Sequence, residues 1–156
     1  MKRILILSIV VFLMACSGNG EVAKEESGEP KEKITREETF VYLEKLLEPY
    51  ADLTEIRTED EALGVIEEIG STAKEVSREL KRDYEKDIHA VEDLLKLTET
   101  LEGLAQDVED DNLHLMGAYG QDVGKHIRNI SIEYLDGDLP GKYAEVVGAD
   151  NIYDLE

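Results

Sequence analysis

Apolar residues recur at intervals of three and four along most of the chain beyond residue 34, and this spacing constrains the fold more than any other feature. A helix of 3.6 residues per turn places such positions on one face, so each segment is expected to bury one stripe. No segment shows the alternation or the β-branched clustering that predicts a sheet. We therefore predict an all-α fold, a small helical bundle of three to four main helices.

The first helix is predicted to begin after Thr35. Thr35 and Glu38 have the spacing of a capping box, in which each side chain accepts a hydrogen bond from the other residue's backbone N–H. Pro49 should end or kink this helix because its ring removes a backbone donor. The apolar positions of the stripe are Phe40, Leu43, Leu47 and Tyr50.

A second capping box, Thr58 with Glu61, opens a stretch that keeps one helical phase up to residue 108. It is either one very long helix or is broken at Gly70-Ser71, in the polar run 82–87, or at Gly103. A break at Gly70-Ser71, followed by a long helix, is favoured because uninterrupted helices of this length are rare. The stripe comprises Ala62, Ile66, Ile69, Ala73, Val76, Leu80, Tyr84, Ile88, Val91, Leu95, Thr98, Leu101, Ala105 and Val108.

A further helix should follow the N-cap candidates Asp110-Asp111-Asn112 and end with Gly137 in a left-handed conformation. Its stripe comprises Leu113, Met116, Gly120, Val123, Ile127, Ile130 and Tyr134. Its small residues Gly117, Gly120 and Gly124 favour close packing within the bundle over a groove for a ligand or partner. A last short helix is expected around residues 143–147. Residues 34–156 are enough for one modest core, so we predict a single helical domain.

The N-terminus has the organisation of a signal peptide. Lys2 and Arg3 precede twelve residues, 4–15, of which only Ser8 is polar. At ~1.5 Å per residue this run spans roughly 18 Å, too short to cross a hydrocarbon core of about 30 Å. Residues 1–15 are therefore predicted to be a signal peptide.

The end of this run, Leu13-Met14-Ala15-Cys16, resembles the lipobox of bacterial lipoproteins. The resemblance covers about the first twenty residues and implies cleavage before Cys16, the only cysteine, which would then carry acyl chains such as palmitate. Two or three chains hold a protein durably on a membrane. Ser17, where retained lipoproteins often have Asp, implies the outer membrane of the cell envelope if the host is diderm. The alternatives are an ordinary signal peptide or an unmodified cysteine nearby.

Residues 16–33 are predicted to be the lipidated cysteine and a flexible, acidic linker. The stretch is rich in Gly, Ser, Glu and Lys and has no apolar periodicity, so it cannot bury enough surface to order itself. Its expected reach of roughly 20–25 Å lets the domain stand off the membrane.

The charge of the chain restricts its partners. The net charge is −20, and removing residues 1–15 leaves 15 Lys and Arg against 37 Asp and Glu, a net charge of −22. Nucleic acid is disfavoured because phosphate contacts need clustered cations. Such a surface can steer a basic protein, and it also keeps a tethered domain soluble.

Two acid–histidine pairs, Glu85 with His89 and Asp122 with His126, are four residues apart on predicted helices and could present weak metal ligands on one face. We expect no metal and no other cofactor, since such pairs are more often surface electrostatics. His114 lies near Met116, which falls on the apolar stripe.

Residues 136–141 resemble the start of an EF-hand loop, with Asp136, Asp138 and Gly141 at the right positions. The twelfth position is Val147, where a bidentate Glu is needed, so an EF-hand is rejected.

The sequence contains no catalytic motif. The serines Ser71, Ser77 and Ser131 have no His and acid arranged around them by a known spacing, and there is no phosphate-binding loop. We therefore expect a non-enzymatic envelope lipoprotein that binds another protein or has a structural role, possible instances being an inhibitor or immunity protein. A metal- or small-ligand-binding lipoprotein is the alternative, and an enzyme with a site inside the bundle is a third hypothesis.

Overall fold

The fold is known from a computed structural model that describes residues 30–53, 55–56, 58–110 and 116–155. Within these ranges the chain forms five α-helices and no strand, which confirms the all-α prediction. The helices are α1 (Arg36–Asp52), α2 (Glu59–Asp83), α3 (His89–Glu109), α4 (Met116–Tyr134) and the short α5 (Gly141–Val147), followed by a 3₁₀ helix (Ile152–Leu155). The predicted signal peptide, Cys16 and most of the predicted linker lie outside the described residues.

Helix α1 begins as predicted after Thr35. Thr35 and Glu38 form the full capping box, with N···O distances of 3.1 and 2.9 Å. Pro49 does not end the helix, which continues to Asp52. The proline lies in the last turn, where it removes one backbone hydrogen bond while its ring is buried in the core.

Helix α2 passes through Gly70-Ser71 without a break, so the favoured break position is wrong. The chain leaves the helix instead within the polar run 82–87, where Tyr84 takes an extended conformation with φ −133° and ψ 154°. At the other end, the Thr58 hydroxyl caps α2 by accepting a hydrogen bond from the Glu61 N–H. The sequence pattern did not reveal this turn, because the apolar spacing keeps one helical phase on both sides of residue 84.

The segment before α1 is fixed to this turn. Lys31 N–H donates to the Asp83 carbonyl at 2.8 Å, and Glu85 N–H donates to the Lys31 carbonyl at 3.1 Å. The Lys31 ammonium also forms an ion pair with Glu38 at 2.7 Å. Lys31, which lies in the predicted linker, is therefore held against the turn that follows α2.

The main core is built where α1, α2, α3 and α4 meet. α2 and α3 form an antiparallel hairpin, α4 packs on α3, and α5 packs on α1. A smaller core of Ile66, Leu104 and Val108 occupies one end of the hairpin. The fully buried large side chains of the main core include Leu43, Leu46, Leu47, Ile69, Val76, Leu80, Leu94, Leu97, Leu101, Ile127, Ile130 and Leu135.

The chain turns sharply after α4. Asp136 and Gly137 both have positive φ, 56° and 88°, which confirms the left-handed conformation predicted for Gly137. Two backbone hydrogen bonds, from Leu139 to Asp150 and from Ile152 to Gly137, hold the C-terminal segment against this turn. The short helix expected around residues 143–147 is α5.

Candidate functional site

The first predicted acid–histidine pair does not share a helix face. His89 is the first residue of α3 and is exposed, whereas Glu85 lies in the non-helical turn between α2 and α3. The spacing of four residues brings two groups onto one face only inside a continuous helix. The prediction of a shared face is therefore wrong for Glu85 and His89.

The second pair does lie on one helix. Asp122 and His126 are both on α4, with Asp122 exposed and His126 half-buried. Burial lowers the pKa of the His126 imidazole, although the negative charges of Asp122 and Asp93 act in the opposite direction. Among the residues that the structure describes, no three His, Cys, Asp or Glu side chains come close enough together to hold a metal ion. His114 and Cys16 lie outside those residues.

The acids of the EF-hand-like segment form contacts within the fold. The Arg36 guanidinium lies 2.6 Å from the Asp138 carboxylate and 3.6 Å from that of Asp136. The Asn151 amide donates to the other Asp138 oxygen at 3.3 Å. These carboxylates therefore stabilise the turn after α4.

Gly120 and Gly124 of α4 are not packed closely against other helices. A Cβ atom added at Gly124 would meet no atom within 4 Å, and one at Gly120 would only touch the Tyr50 hydroxyl at 4.0 Å. Gly120 is also exposed, so the prediction that it lies on the buried stripe of α4 is wrong. The close approach occurs instead between α2 and α3, where a Cβ at Gly70 would lie 2.5 Å from Ala105 Cβ.

This close approach forms the floor of a groove, with a volume of about 490 Å³, between the first half of α2 and the last half of α3. We call it the α2–α3 groove and define it by its ten lining residues, Leu63, Ile66, Glu67, Gly70, Ser71, Lys74, Ala105, Gln106, Val108 and Glu109. Leu63 is 48% exposed although it is a large apolar side chain. Ile66 and Val108 are nearly buried and belong to the smaller core. The groove is thus apolar at its base.

The helix segments on both sides of the groove contain acids and no cations. Residues 59–70 contain five Asp and Glu, and residues 98–110 contain another five, and neither segment contains Lys or Arg. The antiparallel hairpin places these two segments side by side. Lys74, at the far end of the groove, is the next cation along α2. The groove therefore has acidic segments on both sides, and Glu67 and Glu109 line it together with Lys74.

Sequence reasoning missed this groove. The two acid-only segments are visible in the sequence, but their proximity depends on where the chain reverses. A break at Gly70-Ser71 would have placed the reversal in the wrong position. The signal that could have found it is the run 82–87, because a hairpin turning there pairs residue 70 with residue 105.

A second groove, about 470 Å³ in volume, lies between α1 and α5. Its lining includes Val41, Glu44 and Glu48, together with the cations Lys45 and Lys142. Lys45 forms ion pairs with Glu75 and Glu79 of α2, and Lys142 pairs with Asp52. The lining of this second groove thus holds two acids and two cations, and each cation is paired with an acid outside the lining.

Comparison with known proteins places the chain in no family: no protein-family model, no curated protein and no solved structure matches it. In the part of the chain that the structure describes, no helix has the length and apolar character needed to cross a membrane.

Proposed function

We propose that this chain is a bacterial lipoprotein, anchored in the cell envelope through lipid on Cys16, whose helical domain is a non-enzymatic module that binds a basic protein. The observation that supports the anchor is the order of features at the N-terminus. Two cations, a short apolar run and the lipobox-like Leu13-Met14-Ala15-Cys16 follow one another as they do in lipoprotein precursors. In a diderm host, Ser17 favours the outer membrane.

The charge distribution supports a basic partner. Most of the cations that the structure places are engaged within the fold, for example Lys45 with α2 and Lys96 with Asp93. The excess of acids is therefore presented outwards, and it is concentrated along the hairpin end that carries an apolar groove. A surface of one sign next to apolar area is suited to attracting and then holding a partner of the opposite charge.

The anchor is tested by mass spectrometry of the N-terminus of protein purified from its native host. We expect a chain that begins at Cys16 and carries acyl mass, and a Cys16→Ala variant that is released from the membrane fraction. An intact Met1, or an unmodified thiol at Cys16, would contradict the proposal.

The binding role is tested by capture from envelope extracts. The anchored chain should retain a basic protein at low salt and lose it as the salt concentration rises, because counterions screen exposed charges. A capture profile that is empty at low salt would contradict a binding role. Retention of acidic or neutral proteins alone would contradict the proposal that the partner is basic.

A further inference from the structure

We propose that the α2–α3 groove is the docking site for a basic amphipathic helix of the partner protein. The helix would lay its apolar face against Leu63 and the groove base, with its Lys and Arg side chains over the acidic rims. This inference rests on the proposed function, which it narrows to one surface and one kind of partner segment.

The shape of the groove supports a helical occupant. Two antiparallel helices that approach closely at Gly70 and Ala105 leave an elongated depression along their contact line. Amphipathic helices bind such depressions by inserting apolar side chains at three- and four-residue spacing. Leu63, 48% exposed at the edge, would be covered by such an occupant.

The charge of the rims specifies a basic occupant. Residues 59–70 and 98–110 hold ten acids and no cation, and their like charges repel one another, which costs stability in the unbound domain. Asp107 and Asp110 accept hydrogen bonds from Tyr119 and Gln106, and Lys74 is the one cation among the residues that line the groove. The rim carboxylates Glu67 and Glu109 form no hydrogen bond or ion pair with any described residue. Solubility alone would be served equally well by mixed charges, as in the second groove with Lys45 and Lys142. Cations of a partner would offset the repulsion.

The test uses the full chain in nanodiscs of zwitterionic lipid. The probe is a fluorescent synthetic peptide of about five helical turns with one leucine face and one lysine face. Two control peptides are a scrambled sequence of the same composition and a counterpart with glutamate in place of lysine. Fluorescence anisotropy measures binding at low salt, with empty nanodiscs as the blank. The amphipathic basic peptide should bind, the scrambled peptide should bind at least about tenfold more weakly, and the acidic peptide should not bind.

Two matched triple variants locate the site. The groove variant is L63Q/E67Q/E109Q, and the control is V41Q/E44Q/E48Q at the second groove. Each replaces one exposed apolar residue and two glutamates, so the changes in net charge and apolar surface are alike. The groove variant should weaken peptide binding about tenfold or more, and the control less than about twofold. Thermal unfolding of both variants checks that they remain folded.

Three results would overturn the inference: no binding of the amphipathic basic peptide to the unmodified chain, equal weakening by the two triple variants, or equally tight binding of the scrambled peptide. None of them decides the proposed function. Capture of a basic envelope protein by both the unmodified chain and the groove variant would leave a binding role in place at another surface. An empty capture profile for the unmodified chain would instead remove the proposed function itself.

Discussion

The guanidinium of Arg36, in the first turn of α1, lies 2.6 Å from the carboxylate of Asp138, which is 102 residues away in the sequence. The same nitrogen donates to the Leu135 carbonyl at 3.0 Å, just beyond the end of α4. One side chain thus gives the Leu135 carbonyl a second donor beside the Asp138 N–H, and it also neutralises an acid of the following turn. This contact joins the start of the domain to its C-terminal turn.

Replacing Arg36 by Met should lower the free energy of unfolding by about 1 kcal/mol. The pair is half-exposed, which keeps its contribution small, but the hydrogen bond to Leu135 adds to it. Arg82→Met is the matched control, because Arg82 pairs with its sequence neighbour Asp83 and is 72% exposed. That variant should change stability by less than about 0.5 kcal/mol. Urea unfolding of the full chain measures both, and equal effects would contradict the special role of Arg36.

The sequence predicted the helical class, both threonine caps and most of the core, because these depend on local spacing. It misplaced the turn between α2 and α3, because a glycine inside a helix and a polar run give similar local signals. Gly70 remains helical since its lack of a side chain lets α3 approach, and this packing gain outweighs the cost of glycine in a helix. Only the contact between Gly70 and Ala105 shows that the chain stays helical at residue 70 and turns within the run 82–87.

Gly70→Ala should destabilise the protein by about 1–3 kcal/mol, because the new Cβ would lie 2.5 Å from Ala105 Cβ. Gly64→Ala, in the same helix, is the matched control. A Cβ there meets no atom within 4 Å, so the variant should gain about 0.5–1 kcal/mol from helix propensity. Urea unfolding of the two variants should therefore give shifts of opposite sign.

The double variant G70A/A105G tests the contact itself. Removing the Ala105 methyl group should make room for the new one at residue 70, so the pair should cost less than the sum of the two single changes by about 1 kcal/mol or more. Strict additivity would show that the destabilisation by Gly70→Ala has another source.

The candidate metal ligands show the same limit of sequence reasoning. The pair Asp122 and His126 lies within α4 and shares a face as spacing predicts, whereas Glu85 and His89 are separated by the turn that the sequence misplaced. The groove was missed for the same reason. A pattern defines neighbours along one helix, but neighbours across two helices depend on the position of the reversal.

The ion pair between Lys31 and Glu38 should make stability depend on pH. The Lys31 ammonium and the Thr35 N–H lower the pKa of the Glu38 carboxyl from its ordinary value of 4.5 to about 2. A carboxyl with a lowered pKa in the folded state stabilises the fold above its unfolded pKa, and this contribution is lost as pH falls from about 4.5 to about 2. The group is partly exposed, so the effect should be under about 1 kcal/mol.

Urea midpoints of the unmodified chain and of Glu38→Gln, measured from about pH 6 to about pH 2, test this dependence. The unmodified chain should be the more stable one at the upper end, and the difference should shrink towards pH 2. Glu37→Gln, at an exposed neighbouring position, is the control and should show no such convergence. If the urea midpoints of the unmodified chain and of Glu38→Gln differed by a constant amount across this range, the lowered pKa of Glu38 would be contradicted.

The buried hydroxyl of Ser131 should make no favourable contribution to stability. Its oxygen is inaccessible to solvent and has no hydrogen-bond partner among the described residues, so the folded state carries its desolvation cost. Ser131→Ala should therefore leave stability unchanged or raise it by up to about 1 kcal/mol. Thr98 is the matched case, because its hydroxyl is also buried but donates to the Leu95 carbonyl at 2.7 Å. Thr98→Val, which keeps the shape, should cost about 1 kcal/mol. If urea unfolding shows Ser131→Ala to be the more damaging change, the Ser131 hydroxyl has a partner in solution.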